Sequence, residues 1–402
     1  MKLLAAPKCL SDAVAPLVTL NYIVGFRIFE YPRGKLHTLL SLIYFLLLLG
    51  IFSVSIYRTH NFYQQIKLLK LEYILYESMV CMLSFVVMYE MVLGYFYTET
   101  INACYRKLAQ IDETLRRFGL IINYNDMYFL SICVVFLWFL YILSSIIVTS
   151  VQLHTDLLTM ILINVAQSYV INISFVIVFE FILFVRYLQT RLKLINELLS
   201  KGAAVSTTEE MSLFVTKDYV KIMDSTQRRD ILPIKTFLRQ VHLELYRVLK
   251  TLCTSFGIQI TTEIGIAVIL ITVLLYNLYI VVIQRPQRAI GFCLVDQASV
   301  LILVTATNIL KIIFINCACK HVINEGKKTS MIIHEIYGCC SDIDMREEIQ
   351  QFDLQISLCP VEFFTFGICL NGQLLSTCLK TVTTYMVIMI QMSNSLESSR
   401  NS

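Results

Sequence analysis

The sequence predicts an all-α membrane protein of seven transmembrane helices. The N-terminus is expected in the cytoplasm and the C-terminus outside, with long cytoplasmic helical loops gathered into an anchor bundle. Three observations carry this. The 402 residues are 57% hydrophobic and 15% charged, with a mean hydropathy of +0.68, whereas soluble domains average about 25% charged. Seven apolar stretches, at 36–57, 73–97, 128–150, 157–185, 256–283, 292–317 and 363–392, can each cross about 30 Å of hydrocarbon as a helix. Of the 33 lysines and arginines, 26 fall on one side of these stretches, which the positive-inside rule makes the cytoplasmic side.

Taken in order, residues 1–35 form a cytoplasmic N-terminal segment. Lys8 and Asp12 break the apolar run after Met1 and no clean cleavage pattern follows, so a signal peptide is not expected. Residues 36–320 hold helices one to six. All six prolines of the chain, Pro7, Pro16, Pro32, Pro233, Pro286 and Pro360, fall outside the seven spans, and unbroken helices are expected. The outer connections at 58–72, 151–156 and 284–291 are short. The inner ones are long and amphipathic. Residues 186–199 continue the fourth helix. Residues 234–251 approach the fifth with Phe237, Val241, Leu245 and Val248 at helical spacing. Residues 321–362 form a cytoplasmic anchor segment with a third apolar face. Gly367, Asn371, Gly372 and Gln373 interrupt the last stretch, so 363–392 is expected as a split seventh helix, followed by a polar tail at 393–402.

The seventh helix carries an unusual face. Counting back from Gln391 by three and four gives Ile388, Thr384, Thr381 and Thr377, which form one stripe of a helix. Four of these five side chains are polar, on a helix whose other faces carry Leu379, Val382, Met386, Val387, Met389 and Ile390. A polar group without a partner in hydrocarbon costs several kcal/mol. A water-filled pore would hydrate the stripe, and close packing of helices through threonine is the competing explanation.

Thr384-Tyr385, five hydrophobic residues and Gln391 match the TYhhhhhQF signature of insect gustatory receptors, which this chain resembles. The approach through Phe363-Phe364-Thr365-Phe366-Gly367, Leu370-Asn371 and Leu374-Leu375, and the acidic, isoleucine-rich segment from His334 to Phe352, are also similar to that family. These motifs cover the last 60 or so residues, and the architecture agrees over the whole chain. The resemblance implies a ligand-gated, non-selective cation channel opened by a small-molecule tastant, in the plasma membrane of a chemosensory neuron dendrite. It implies a homotetramer around one central pore, or a hetero-oligomer with other gustatory receptors. It places Gln391 and Met392 near the gate, with Tyr385 supporting the pore helix and Ile388, one turn deeper, able to form a hydrophobic constriction. There are two departures. Met392 stands where the family usually has Phe, and Met386 stands where the sugar-receptor branch tends to carry Glu. The second leans towards bitter-type or other non-sugar compounds.

A ligand arriving from outside would meet polar and aromatic groups in the outer halves of the spans. These are Trp138, Tyr141, Ser144 and Ser145 on the third span, and Thr159, Asn164, Gln167 and Ser168 on the fourth. The fifth offers Tyr276, Asn277 and Tyr279, and the sixth offers Gln297. Aromatic walls with a few amides suit a small, partly polar organic molecule, although tyrosine and tryptophan also belong at membrane interfaces. Glu90, Glu180 and Glu263 are acids within spans, which makes them functional candidates. Lys380 lies within the last span and could pair with Glu362 or Glu263.

Permeating cations and the lipid bilayer are the remaining expected partners. No nucleic acid is expected, because the net charge of +4 restates the inner-side lysine and arginine excess. No nucleophile–base pair stands out, so enzymatic activity is not expected. Neither Cys317-x-Cys319 nor Cys339-Cys340 has zinc-ligand spacing, so neither a metal nor a cofactor is expected. Two other readings stay open: an odorant receptor of the same channel architecture, and a secondary transporter, which would show paired repeats.

Overall fold

The computed structural model describes residues 7, 9–30, 37–64, 70–117, 120–152, 157–207, 231–281, 294–339 and 343–401. Among them the helices are α1 (Leu10–Val24), α2 (Thr38–Gln64), α3 (Lys70–Arg117), α4 (Asn125–Gln152), α5 (Leu157–Thr207), α6 (Ile231–Tyr279), α7 (Leu294–Cys339), α8 (Ile343–Leu358) and α9 (Gln373–Asn401). A two-stranded hairpin, β1 (Phe364–Thr365) and β2 (Ile368–Cys369), lies between α8 and α9.

Seven of these helices, α2 to α7 and α9, are long and apolar enough to cross a membrane. Their lengths exceed the sequence expectation. The 48 residues of α3 and 51 of α5 rise roughly 72 and 77 Å, more than twice the hydrocarbon thickness. The amphipathic stretches are therefore continuous with the spans. Residues 186–199 run without a break to Thr207, residues 234–251 are the first half of α6, and the sixth span continues to Cys339 before α8 begins. The extensions of α5, α6 and α7 pack on one another, and α8 packs on α6 and α7.

In the membrane region α5 and α6 are central and α4 is peripheral. The most apolar window is 61% buried in α5 and 11% in α4. Leu39, Leu40 and Leu47 on α2, and Phe129, Phe136 and Phe139 on α4, are exposed, as expected of side chains that face lipid rather than water.

The N-terminal segment contains more than the sequence suggests. Its helix α1 buries Leu10, Ala13, Val14, Leu17, Leu20, Asn21 and Val24, at the 3–4 spacing of one helical face. It packs against α3, α4 and α5. Gly25 ends it at φ 75°, and the Phe26 amide donates to the Asn21 carbonyl at 3.0 Å, a left-handed cap that glycine adopts without a steric penalty. The chain then passes tightly against α3. A Cβ on Gly94 would lie 2.3 Å from the Phe26 carbonyl oxygen.

The interruption of the last apolar stretch is the hairpin. Phe366 and Gly367 have φ of 41° and 83°, as in the two-residue turns with positive φ that suit the twist of paired strands. Just before β1, Phe363 is fully buried against Phe181 of α5, with ring centroids 6.1 Å apart, and Phe181 and Phe184 both meet Phe256 of α6. Thr365 is buried, and the Thr261 hydroxyl of α6 donates to it at 3.1 Å. These contacts fix the hairpin, and hence the start of α9, to the two central helices.

Candidate functional site

The start of α9 follows from its sequence. The Asn371 side chain accepts the Gln373 amide at 3.0 Å and its carbonyl accepts the Leu374 amide at 3.1 Å, which satisfies amides that the first turn would leave bare. One face of α9 is then buried. Leu374 and Val382 are buried and Cys378 is half-buried. Val382 packs with Ala267 and Ile271 of α6 and Ile312 of α7.

The polar stripe lies on a different face. Thr377, Thr384, Ile388, Gln391 and Met392 are exposed, and Thr381 is half-buried. Thr377, Thr381 and Thr384 donate their hydroxyl protons to the carbonyls of Gln373, Thr377 and Lys380, at 3.1, 3.0 and 2.9 Å. With each proton used inside the helix, the hydroxyls present oxygen lone pairs outward. That is acceptor chemistry, suited to water or a cation.

Tyr385 is 56% exposed within its own chain. Two details differ from the sequence reading. The helix continues to Asn401, so Gln391 lies within it and not at its end. Lys380 does not meet Glu263, which pairs instead with Lys311 at 2.7 Å. Lys380 is exposed, and at about 100° per residue it lies within about 20° of Gln391 around the helix axis. A positive charge therefore borders the polar stripe.

The groups assigned to a ligand sit on three successive neighbours, because α4 packs on α5 and α5 on α6. Trp138, Tyr141, Ser144, Ser145, Thr159, Asn277 and Tyr279 are half-buried, while Asn164 and Tyr276 are buried. Two are of chemical interest. The Asn164 amide donates to the Met160 carbonyl at 3.0 Å, but its oxygen has no hydrogen-bond partner among the described residues, and neither has the Asn277 side-chain oxygen. The Ser144 hydroxyl is taken up by the Tyr141 carbonyl at 2.8 Å. The side chains of Gln167, Ser168 and Gln297 lie outside the described residues.

A family model described as "7tm Chemosensory receptor" matches residues 15–394. The chain belongs to the 7tm chemosensory receptor family. Among curated proteins it is similar to gustatory receptor 28b of Drosophila melanogaster, at 22% identity over 203 residues, which is 50% of this chain. The match spans only 40% of that relative's length. The fold matches the insect olfactory receptor OR5 from Machilis hrabei, solved in complex with eugenol, with a TM-score of 0.61 at 14% identity over 95% of this chain and 98% of that one. A second structure of the same receptor gives a TM-score of 0.58 at 13% identity, over the same shares. The protein is thus a multi-pass membrane receptor of a chemosensory family, and its fold is a receptor fold rather than that of an enzyme family.

This chemosensory receptor also holds polar clusters that the sequence pattern did not reveal. Arg27, which counts in the sequence only as a topology charge, pairs with buried Glu180 at 2.5 Å, and Tyr105 donates to the same carboxylate at 3.2 Å. Arg186, the cation nearest Glu180 in sequence, bonds Gln189 instead. In the helical extensions Arg191 grips Asp112 with two bonds of 2.7 and 3.0 Å, and Tyr124 donates to Asp112 at 2.8 Å. Burial, followed by that hydrogen bond to a carboxylate, raises the Tyr124 phenol well above its usual range. One signal was available for Lys311: it stands in an otherwise apolar run, where a lysine needs a partner.

Proposed function

We propose that this receptor is a ligand-gated, non-selective cation channel, opened by a small organic tastant and lined by α9. The observation that carries the proposal is the polar stripe of α9, which faces away from its own chain and offers hydroxyl and amide oxygens. A face of this kind is costly in lipid and is accommodated when several copies bring their stripes around a common axis. A homotetramer satisfies this, as does a hetero-oligomer with other gustatory receptors. Gln391 and Met392 then stand near the gate, and Ile388 supplies a ring able to dewet. The N-terminus and the long helical extensions lie in the cytoplasm and the C-terminus outside, in the plasma membrane of a chemosensory neuron dendrite. The ligand enters among α4, α5 and α6, where the bare oxygens of Asn164 and Asn277 favour a compound with hydrogen-bond donors. Met386 after Thr384-Tyr385 favours a bitter-type or other non-sugar compound.

The test is whole-cell current from cells expressing the chain, with sugars and plant bitter compounds applied, beside Gln391→Ala. A ligand-evoked, poorly selective cation current altered by Gln391→Ala supports the reading. A robust current indifferent to that change moves the gate away from Gln391. An odorant receptor of the same architecture is the second reading, favoured by the fold's similarity to an olfactory receptor solved with eugenol. Volatile ligands in the same assay distinguish the two.

A further inference from the structure

The channel reading leaves one charged group on α9 without a task. The 23 residues of the α9 span, Gln373–Ser395, contain a single charged side chain, Lys380. It stands seven residues after Gln373 and eleven before Gln391, about 10 and 17 Å along the axis. At about 100° per residue it lies within about 20° of Gln391 and about 160° from Val382, the residue that seats α9 on α6 and α7. Lys380 therefore points away from its own bundle. It is exposed, and its ammonium has no carboxylate within ion-pair distance among the described residues.

A lone ammonium in hydrocarbon is costly, so the argument that brings the threonine stripe to a common axis brings Lys380 there too. The fixed charge that α9 offers a pore is then positive and is repeated in every subunit. The other groups of the stripe are neutral. Thr377, Thr381 and Thr384 present oxygen lone pairs, which attract cations and not anions. Coulomb energy scales with the charge of the ion, so at equal distance a divalent cation is opposed twice as strongly as a monovalent one. Calcium sites ordinarily supply carboxylates, and the α9 span has none to offset the loss of the ion's hydration shell.

We infer that Lys380 makes this receptor a path for monovalent cations that discriminates against calcium, the lysines acting as an electrostatic filter on the inner side of the Gln391 gate. The inference rests on the channel reading and adds to it the class of ion carried. Monovalent cations pass with little selectivity among themselves, and divalent cations are held back. At about 10 Å, one lysine charge lowers the calcium-to-sodium permeability ratio by a factor of about 2 to 17, for effective dielectrics of 80 to 20. The lysines of further subunits multiply this factor.

The test is the reversal potential of the ligand-evoked whole-cell current, first with external sodium exchanged for calcium and then with most of the chloride exchanged for gluconate. Wild type favours sodium over calcium. Lys380→Gln raises the calcium-to-sodium ratio by about two-fold or more, Lys380→Glu raises it further, and Lys380→Arg, which keeps the charge, retains the wild-type ratio. Lys327→Gln, at an exposed lysine of the α7 extension, leaves the ratio unchanged. A lysine with a purely structural role alters the amount of current and not the ratio. A ratio unchanged in Lys380→Gln, or equal permeabilities in wild type, overturns this inference and leaves the channel reading standing. The lysine then reaches the inner headgroups, outside the ion path. A current that reverses with the chloride gradient, or a surface-expressed receptor that passes none, overturns the channel reading and this inference together.

Discussion

Arg27, just beyond the N-terminal helix, reaches Glu180 of central helix α5 with an Nη2–Oε2 distance of 2.5 Å, and both side chains are almost wholly buried. The pair lies 153 residues apart in sequence and locks α1 to the bundle. Removing one partner leaves a buried charge alone, at a cost of about 3–5 kcal/mol. Arg27→Ala is expected to lower the Tm of the purified receptor sharply and reduce its surface expression. Replacing both with apolar residues (Arg27→Met with Glu180→Met) restores much of the loss. Tm measurements on the single and double variants check this.

Gly94 sets the approach of α3 to the chain after α1. A Cβ there would meet the backbone oxygen of Phe26, and backbone cannot swing away as a side chain can. Gly94→Ala is therefore expected to destabilise by about 1–3 kcal/mol, the usual range for overpacking. Gly50 of α2 has open space around it, so Gly50→Ala serves as the control and leaves Tm unchanged or slightly higher. Tm of the two purified variants is the readout.

Arg191 holds Asp112 bidentately, and its guanidinium lies 4.5 Å from the Tyr187 ring centre. Lysine cannot reproduce a planar fork or the stacking. Arg191→Lys is expected to cost about 1.5–3 kcal/mol, the range for hydrogen bonds to charged groups, although charge is kept. Folded Tyr124 holds its proton more tightly than the unfolded chain does. Its contribution is complete below the ordinary tyrosine pKa of about 10 and is lost as pH rises through the higher folded value. Tm of wild type and Tyr124→Phe, compared across alkaline pH, checks the sign: their difference shrinks only at high pH.

Lys380 borders the stripe seven residues from the start of α9. At about 10 Å, one unit charge acts on a passing cation by about 0.4–1.7 kcal/mol for effective dielectrics of 80 to 20. Lys380→Glu reverses this and is expected to raise cation conductance several-fold, most at low salt, where screening is weakest. Single-channel recording in two salt concentrations measures it.

Local pattern carried much of this fold. Hydropathy delimits the spans because each is a long uninterrupted apolar run, and Gly367 and Asn371 mark the hairpin and cap because both are turn and cap formers. The stripe on α9 is legible as a 3–4 repeat, but only the packing of Leu374, Cys378 and Val382 reveals that it faces away from the chain. Helix α1 escaped notice because Asp12 and Pro16 interrupt a run of only 15 residues. The partnerships Arg27–Glu180 and Glu263–Lys311 escaped because they join residues far apart in sequence. For the same reason no single-helix repeat indicates which side chains of α4, α5 and α6 turn towards one another.

The central claim is that the α9 stripe lines an aqueous pore, and cysteine accessibility tests it most directly. Cysteines placed singly at Thr377, Thr381, Thr384, Ile388 and Gln391 are exposed to a charged thiol reagent during ligand-evoked current. Leu375, Val382 and Met386 serve as buried-side controls, and wild type reports any response of the native thiols. The account predicts rapid, current-altering modification along the stripe in the presence of ligand, and none on the buried side. Modification of the Leu375, Val382 and Met386 positions with an inert stripe would contradict it.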